Sequence, residues 1–146
     1  MTINGVNHIT LAVTDLDRSI CFYRELLGLM LRARWPEGAY FEAGSLWLCL
    51  SVDANAARVE RSDYTHIALN VSAEHFETTA ARVAEGAKLW RQNRSEGPSL
   101  YFLDPDGHKL ELHAGSLASR LAHYRTDPPP GMTLFDLARM APEHHE

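Results

Sequence analysis

The sequence predicts an α+β fold made of two β-α-β-β-β modules in tandem, and three observations predict it. His8-Ile9-Thr10-Leu11-Ala12-Val13 recurs as His66-Ile67-Ala68-Leu69-Asn70-Val71. Each block precedes a helical stretch that ends at a glycine, Gly28 or Gly86, twenty residues past its histidine. The halves then meet again at a hairpin, which opens Tyr40-Phe41 in one and Tyr101-Phe102 in the other. Self-similarity over about half a chain marks two stacked copies of one supersecondary unit. It also puts two histidines at equivalent places, where a symmetric fold would build a central site.

Residues 6 to 13 alternate and are rich in apolar and β-branched types, so they read as a strand. Thr14 or Asp15 can cap a helix running to about Leu27, with Ile20, Tyr23, Leu26 and Leu27 on its apolar face and Gly28 as its stop. Strands at about 30–35, 39–43 and 46–52 follow, the last two joined at Ala43-Gly44-Ser45. Residues 53–63 are polar and irregular and read as the linker between halves. The second half repeats the order: strand 65–71, helix 73–85, strands 87–92 and 99–103, the turn Asp104-Pro105-Asp106-Gly107, and strand 108–113. A short helix is expected from Ser116 to about Tyr124, ended by Asp127-Pro128-Pro129-Pro130-Gly131. The reading is one domain over 1–124, with halves of about 4–58 and 64–115, and a mobile tail over 125–146.

The chain has 146 residues, 45% hydrophobic and 23% charged, enough to bury a core in a single domain. The first twenty residues carry Asp15, Asp17 and Arg18 and no long apolar run, which argues against a secretory signal or membrane span and makes cytoplasmic residence the default. Two cysteines, Cys21 and Cys49, do not make a disulfide framework and suit a reducing compartment as free thiols. A net charge of -5 argues against general nucleic-acid binding. Against that background Lys88, Arg91, Arg94 and Arg120 form a local basic set.

Candidate metal ligands come from three strands. His8 and His66 open equivalent strands, and in Leu110-Glu111-Leu112 the leucines face one way and Glu111 the other, toward solvent or a polar cavity. Two imidazoles and a carboxylate suit Mn(II), Fe(II) or Zn(II) with positions left open. A lone histidine is more often structural than a ligand, but the repeat lifts His8 and His66 above that default. Leu48-Cys49-Leu50 matches Leu110-Glu111-Leu112, so Cys49 falls opposite Glu111 and reads as a cavity-lining thiol. His113 shares the face of Glu111 and is a candidate outer partner of the site. His75, His144 and His145 read as solvated.

The paired modules and the His, His, Glu set resemble the vicinal oxygen chelate superfamily, which includes glyoxalase I, extradiol dioxygenases and the fosfomycin resistance proteins. Four stretches, Asn7 to Val13, Gly44 to Leu50, Trp90-Arg91-Gln92-Asn93-Arg94-Ser95-Glu96-Gly97 and Leu100 to His113, resemble its glutathione-using fosfomycin transferases, as does Ser119-Arg120-Leu121. The likeness covers about residues 4–124. It implies a cup-shaped mixed sheet around a metal site, the glyoxalase fold.

It also implies a site. His8, His66 and Glu111 match the family's metal ligands, with Mn(II) the usual ion. Thr10, Tyr101 and Arg120 match catalytic and phosphonate-binding positions, and a guanidinium suits such a group. Arg91 falls where better-known relatives carry lysine. Asn93, Ser95, Gly97 and Ser99 match a loop that binds K+, and Ser95 and Ser99 also reach substrate. Trp47 and Cys49 line the cavity, while Trp35, Tyr40 and Arg94 face the glutathione cosubstrate. The implied reaction is metal-assisted opening of fosfomycin's epoxide by glutathione, in a homodimer with swapped halves. Competing expectations are a water-using epoxide hydrolase with Glu42 as the nearest base, a bacillithiol-type transferase, and a drug-sequestering binding protein.

Overall fold

The computed structural model describes residues 2–135. The expected solvated His144 and His145 and the far end of the expected tail lie outside these residues. The first half runs β1 (His8–Val13), α1 (Leu16–Cys21), β2 (Met30–Trp35), β3 (Gly38–Ala43) and β4 (Leu46–Val52). The second runs β5 (Ile67–Asn70), α2 (Ala73–Gly86), β6 (Leu89–Arg91), β7 (Ser99–Leu103) and β8 (Lys109–His113), before α3 (Leu117–Thr126). Both sheets have one topology, β1-β4-β3-β2 and β5-β8-β7-β6, with the first pair parallel and the rest antiparallel. This is the expected tandem α+β fold.

Two expectations need correction, and the two helix-ending glycines turn out to differ. The first helix is not α-helical to Leu27: after Cys21 it widens into a π turn over Phe22–Leu26, with Leu27 N–H donating to the Phe22 carbonyl. The wider turn sets Phe22 and Tyr23 side by side in the core. Gly28 stops the first helix at φ +75°, whereas Gly86, the last residue of α2, ends its helix without a positive φ; a Cβ there would come within 2.8 Å of Leu26 Cδ1, so the residue is small because the two helical segments touch. Finally, α3 extends to Thr126, two residues into the expected tail, closed at its start by a reciprocal Ser116–Ser119 capping box.

Alternation divides each sheet. Ile9, Leu11, Val13, Phe41, Ala39, Leu48 and Leu50 from the first, and Ile67, Leu69, Leu100, Phe102, Leu110 and Leu112 from the second, join Leu16, Ile20, Phe22, Tyr23 and Val83 in one core. The helices cover these faces, leaving the opposite faces free to line the two cups.

A polar latch joins the halves. The Asp106 carboxylate, fully buried in the second-half turn, accepts from Thr14 N–H (3.3 Å), Thr14 Oγ1 (2.6 Å) and Arg18 Nη2 (3.3 Å) at the start of α1. Thr14 is therefore spent on the latch, and Asp15 caps the helix instead by accepting from Arg18 N–H. Tyr23 Oη donates to Asp104 Oδ2 at 2.8 Å. Burial, reinforced by the Asp104 carboxylate, pushes the Tyr23 hydroxyl well above its ordinary pKa. His108 Nε2 meets the Ala12 carbonyl at 2.8 Å, and Arg61 Nη1 donates to the Asp106 carbonyl.

Candidate active site

Strand register builds the two cups as matching rows. In the first sheet Thr10, Cys49, Tyr40 and Ala33 stand in line across β1, β4, β3 and β2; in the second the line is Ala68, Glu111, Tyr101 and Arg91 across β5, β8, β7 and β6. Cys49 and Glu111 are thus true equivalents, as the repeat implies. One row supplies a hydroxyl and a thiol, and the other a carboxylate and a guanidinium.

The first cup holds an aromatic chain. His8 stacks on Trp47 at 4.4 Å between ring centroids, Trp47 meets Tyr40 edge-on at 4.9 Å, and Tyr40 meets Trp35 at 4.7 Å. His8 Nδ1 sits 2.7 Å from Asn7 Oδ1, and His8 and Thr10 are both exposed. Trp35, Tyr40 and Trp47 therefore form one wall. Glu42 lies on this face beside Trp47 in register, but it is ion-paired with Arg32 and does not stand free as a base.

The second cup holds the rest of the predicted ligand set. His66 Nδ1 is 2.8 Å from the Tyr64 carbonyl, and His66 Nε2 is 3.1 Å from Glu111 Oε1. A carbonyl only accepts, so Nδ1 carries a hydrogen and Nε2 is the nitrogen turned toward the carboxylate. A nitrogen and a carboxylate oxygen at that distance are bridged by a proton or by a metal ion. The donor set therefore fits a divalent ion, with the Tyr64 carbonyl orienting the imidazole as an outer-shell partner does. Within one chain the set is incomplete: among the described residues no group of three or more His, Cys, Asp or Glu side chains could hold a metal. His8 does not join His66 and Glu111 in such a group.

The other Glu111 oxygen ends a polarised chain. Arg120 Nη2 lies 3.3 Å from His113 Nε2, His113 Nδ1 lies 2.7 Å from Ser99 Oγ, and Ser99 Oγ donates to Glu111 Oε2 at 2.6 Å. With each group donating to the next, His113 carries its proton on Nδ1. His113 is thus an outer partner of Glu111. Ser99 Oγ thus links His113 to the carboxylate. In that loop Asn93 Nδ2 donates to the Gly97 carbonyl at 2.8 Å, while Ser95 N–H and Oγ both donate to Asn93 Oδ1 at 3.1 Å.

Glu96, which the sequence reading left without a role, lies beside Arg120. Arg120 Nη2 donates to the Glu96 carbonyl at 3.2 Å, and Arg120 Nε is 3.8 Å from Glu96 Oε2. That carboxylate oxygen is buried and has no hydrogen-bond partner among the described residues.

The basic set divides. Arg91 lies over the rings of Tyr64 and Tyr101, and Arg120 reaches the same cup, while Arg94 is exposed on the loop. Lys88 belongs elsewhere, in a cleft of about 410 Å³ lined by Phe22, Arg58 and Pro105. Lys109, absent from the sequence-based set, lies 4.9 Å over the Trp90 ring and donates to the Asp63 carbonyl. Tyr64 was also missed; it lies in the bend leading into β5, two residues before His66.

Comparison with known proteins accords with this geometry. Residues 5–112 match the glyoxalase/bleomycin resistance protein/dioxygenase superfamily. The glutathione transferase FosA of Serratia marcescens is 55% identical over 133 residues, 89% of this chain and 94% of that protein. The metallothiol transferase FosB of Shouchella clausii is 38% identical, covering 92% and 96%. A crystal structure of the fosfomycin resistance protein FosX from Listeria monocytogenes, complexed with Mn(II) and sulfate ion, has a TM-score of 0.72 at 32% identity and covers 84% of this chain and 98% of that one. The chain belongs to the glyoxalase/bleomycin resistance protein/dioxygenase superfamily, among its fosfomycin resistance proteins.

Proposed function

We propose that this protein is a metal-dependent glutathione transferase that inactivates fosfomycin by adding the thiol across its epoxide, working with Mn(II) and K+ in the cytoplasm as a homodimer with swapped halves. The observation that carries the reading is the cup itself. His66 Nε2 and Glu111 Oε1, 3.1 Å apart, are placed to share a divalent ion, and two guanidinium groups, Arg91 and Arg120, converge on the same cup. The 55% identity to a glutathione transferase supports the thiol as nucleophile. Glu42, held by Arg32, offers little to a hydrolase.

In this reading His66 and Glu111 of one chain and His8 of a second hold the metal, which when bound supplies Lewis-acid stabilisation of charge on the oxirane oxygen. Arg91, Arg120, Tyr101, Ser95 and Ser99 bind and orient the phosphonate, aligning the ring for attack. Thr10, from the other cup, donates its hydroxyl to the phosphonate. Trp47 and Cys49 close the cavity around the small substrate and exclude water. Trp35, Tyr40 and Arg94 form the wall along which glutathione enters. Its thiolate sulfur forms the new C–S bond, the ring C–O bond breaks, and the freed oxygen takes a proton.

The K+ assignment rests on the loop. Asn93, Ser95, Gly97 and Ser99 offer oxygens, and the buried Glu96 Oε2, which lacks a hydrogen bond and has its nearest cation in Arg120 Nε at 3.8 Å, adds a carboxylate beside them. No helix among the described residues is long and apolar enough to cross a membrane, in keeping with a cytoplasmic enzyme.

One assay tests the whole. Purified protein, Mn(II), fosfomycin and glutathione are incubated, and products are resolved by mass against cysteine, bacillithiol and water controls. The glutathione adduct is expected. A diol formed without thiol would make the protein a hydrolase, and unaltered fosfomycin with all four would leave it a binding protein.

A further inference from the structure

We infer that Tyr64 is a positioning residue whose ring holds the Arg91 guanidinium in a fixed plane, making Arg91 a rigid fork for a tetrahedral dianion such as phosphonate or phosphate. The inference rests on the proposed reading of the second cup as a phosphonate site.

Arg91 Cζ lies 4.7 Å from the Tyr64 ring centroid and 5.8 Å from that of Tyr101. Both lie within the range at which an aromatic face attracts a cation. The rings are themselves fixed. Trp90 stands edge-on to Tyr64 at 5.9 Å and to Tyr101 at 5.2 Å, and His66 packs on Tyr64 at 4.8 Å. Arg91 is exposed and has no salt-bridge partner among the described residues, so this stacking is what limits its rotamers. A guanidinium held over a ring by cation–π attraction still has N–H groups free for an anion. Those groups match the oxygens of a tetrahedral dianion two at a time, which an ammonium on a flexible stem does not do.

Tyr64 serves the cup twice, by different atoms. Its backbone carbonyl orients His66, while its ring holds Arg91. A side-chain substitution leaves the carbonyl in place, and Tyr64→Phe also keeps the ring packed on His66. Tyr64 is 52% exposed, so its ring can be removed without opening the core.

The test is a double-mutant cycle read by calorimetric titration of inorganic phosphate into the Mn(II)-loaded protein, with Mn(II) affinity measured alongside. Tyr64→Leu is expected to weaken phosphate binding about fivefold, the scale of one exposed cation–π contact. Tyr64→Phe, which keeps the ring, should bind as the wild type does. Mn(II) affinity should be unchanged in Tyr64→Phe, which keeps the ring against His66. In an Arg91→Ala background, Tyr64→Leu should cost nothing further, since its effect runs through Arg91. An equal loss from Tyr64→Leu in both backgrounds, or a Tyr64→Phe variant as weak as Tyr64→Leu, would overturn the positioning role while leaving the anion site intact. Unchanged phosphate binding in Arg91→Ala alone would overturn the reading of the site, and this inference with it.

Discussion

Two separately inactive chains should restore each other's activity. One variant is His8→Ala and the other Glu111→Ala, and the basis is the division of the ligand set: His66 Nε2 and Glu111 Oε1 are 3.1 Å apart in the second cup, whereas His8 stacks on Trp47 in the first. If each site joins the first cup of one chain to the second cup of its partner, a mixed dimer collects both lesions in one site and none in the other. Random pairing makes half the dimers mixed, so about a quarter of all sites are intact, a count that follows from two-fold symmetry. The assay is co-refolding of the two variants at equal concentration, confirmation of mixed dimers by mass, and measurement of adduct formation against wild type. About 25% of wild-type activity is expected on that pairing arithmetic. If sites are built within one chain, every site in every dimer keeps one lesion. A mixture that contains mixed dimers and stays inactive would refute the swap and leave the proposed chemistry standing.

Glu111→Ala should lower Mn(II) affinity by more than about a hundredfold, beyond the range for losing an outer partner of a metal site, as read by titration. Thr10→Ala should keep the metal and lose about tenfold or more in turnover, the scale of a hydrogen bond to a charged group; equal loss of metal in both would contradict the division of roles. Replacing K+ by Na+ at constant ionic strength should lower activity, because cavity size discriminates where screening does not, and equal rates would return the 93–97 loop to a structural role. Tyr23 titrates higher in the folded protein than the ordinary 10.0, so its contribution to stability is complete below that pH and is lost as pH rises toward the folded value. Alkaline denaturation of Tyr23→Phe should therefore show a flatter loss of stability above about pH 10 than wild type.

Periodicity made most of the fold legible. The strand pattern, the linker and the repeat are local or self-similar properties, and β2, β4 and β7 have the expected bounds. The π turn was not legible, because it depends on how Phe22 and Tyr23 meet a core supplied partly by the other half. Gly86 looked like Gly28 in sequence, yet it answers to Leu26, sixty residues earlier. In the site, Cys49 and Glu111 could be matched because register follows the repeat. Tyr64 and Glu96 could not be ranked, since their roles lie in contacts with Arg91 and Arg120 that no spacing rule encodes. Lys88 shows the converse error: nearness in sequence to Arg91 put it in the basic set, and the sheet edge turned it toward another cleft.

The latch at Asp106 bears on whether the peptide between the halves is needed once folding is complete. Thr14 and Arg18 grip a carboxylate some ninety residues away, Tyr23 grips Asp104, and both halves share one core. The far end of the linker is pinned separately, by Arg61 N–H to the Gly107 carbonyl and by Lys109 to the Asp63 carbonyl. Residues 54–58 contribute little to any of this, and such exposed stretches are where proteases nick folded chains. A single cut there would leave two fragments clasped as one particle, so the bond joining the halves acts during folding as a device of proximity and afterwards as a spare.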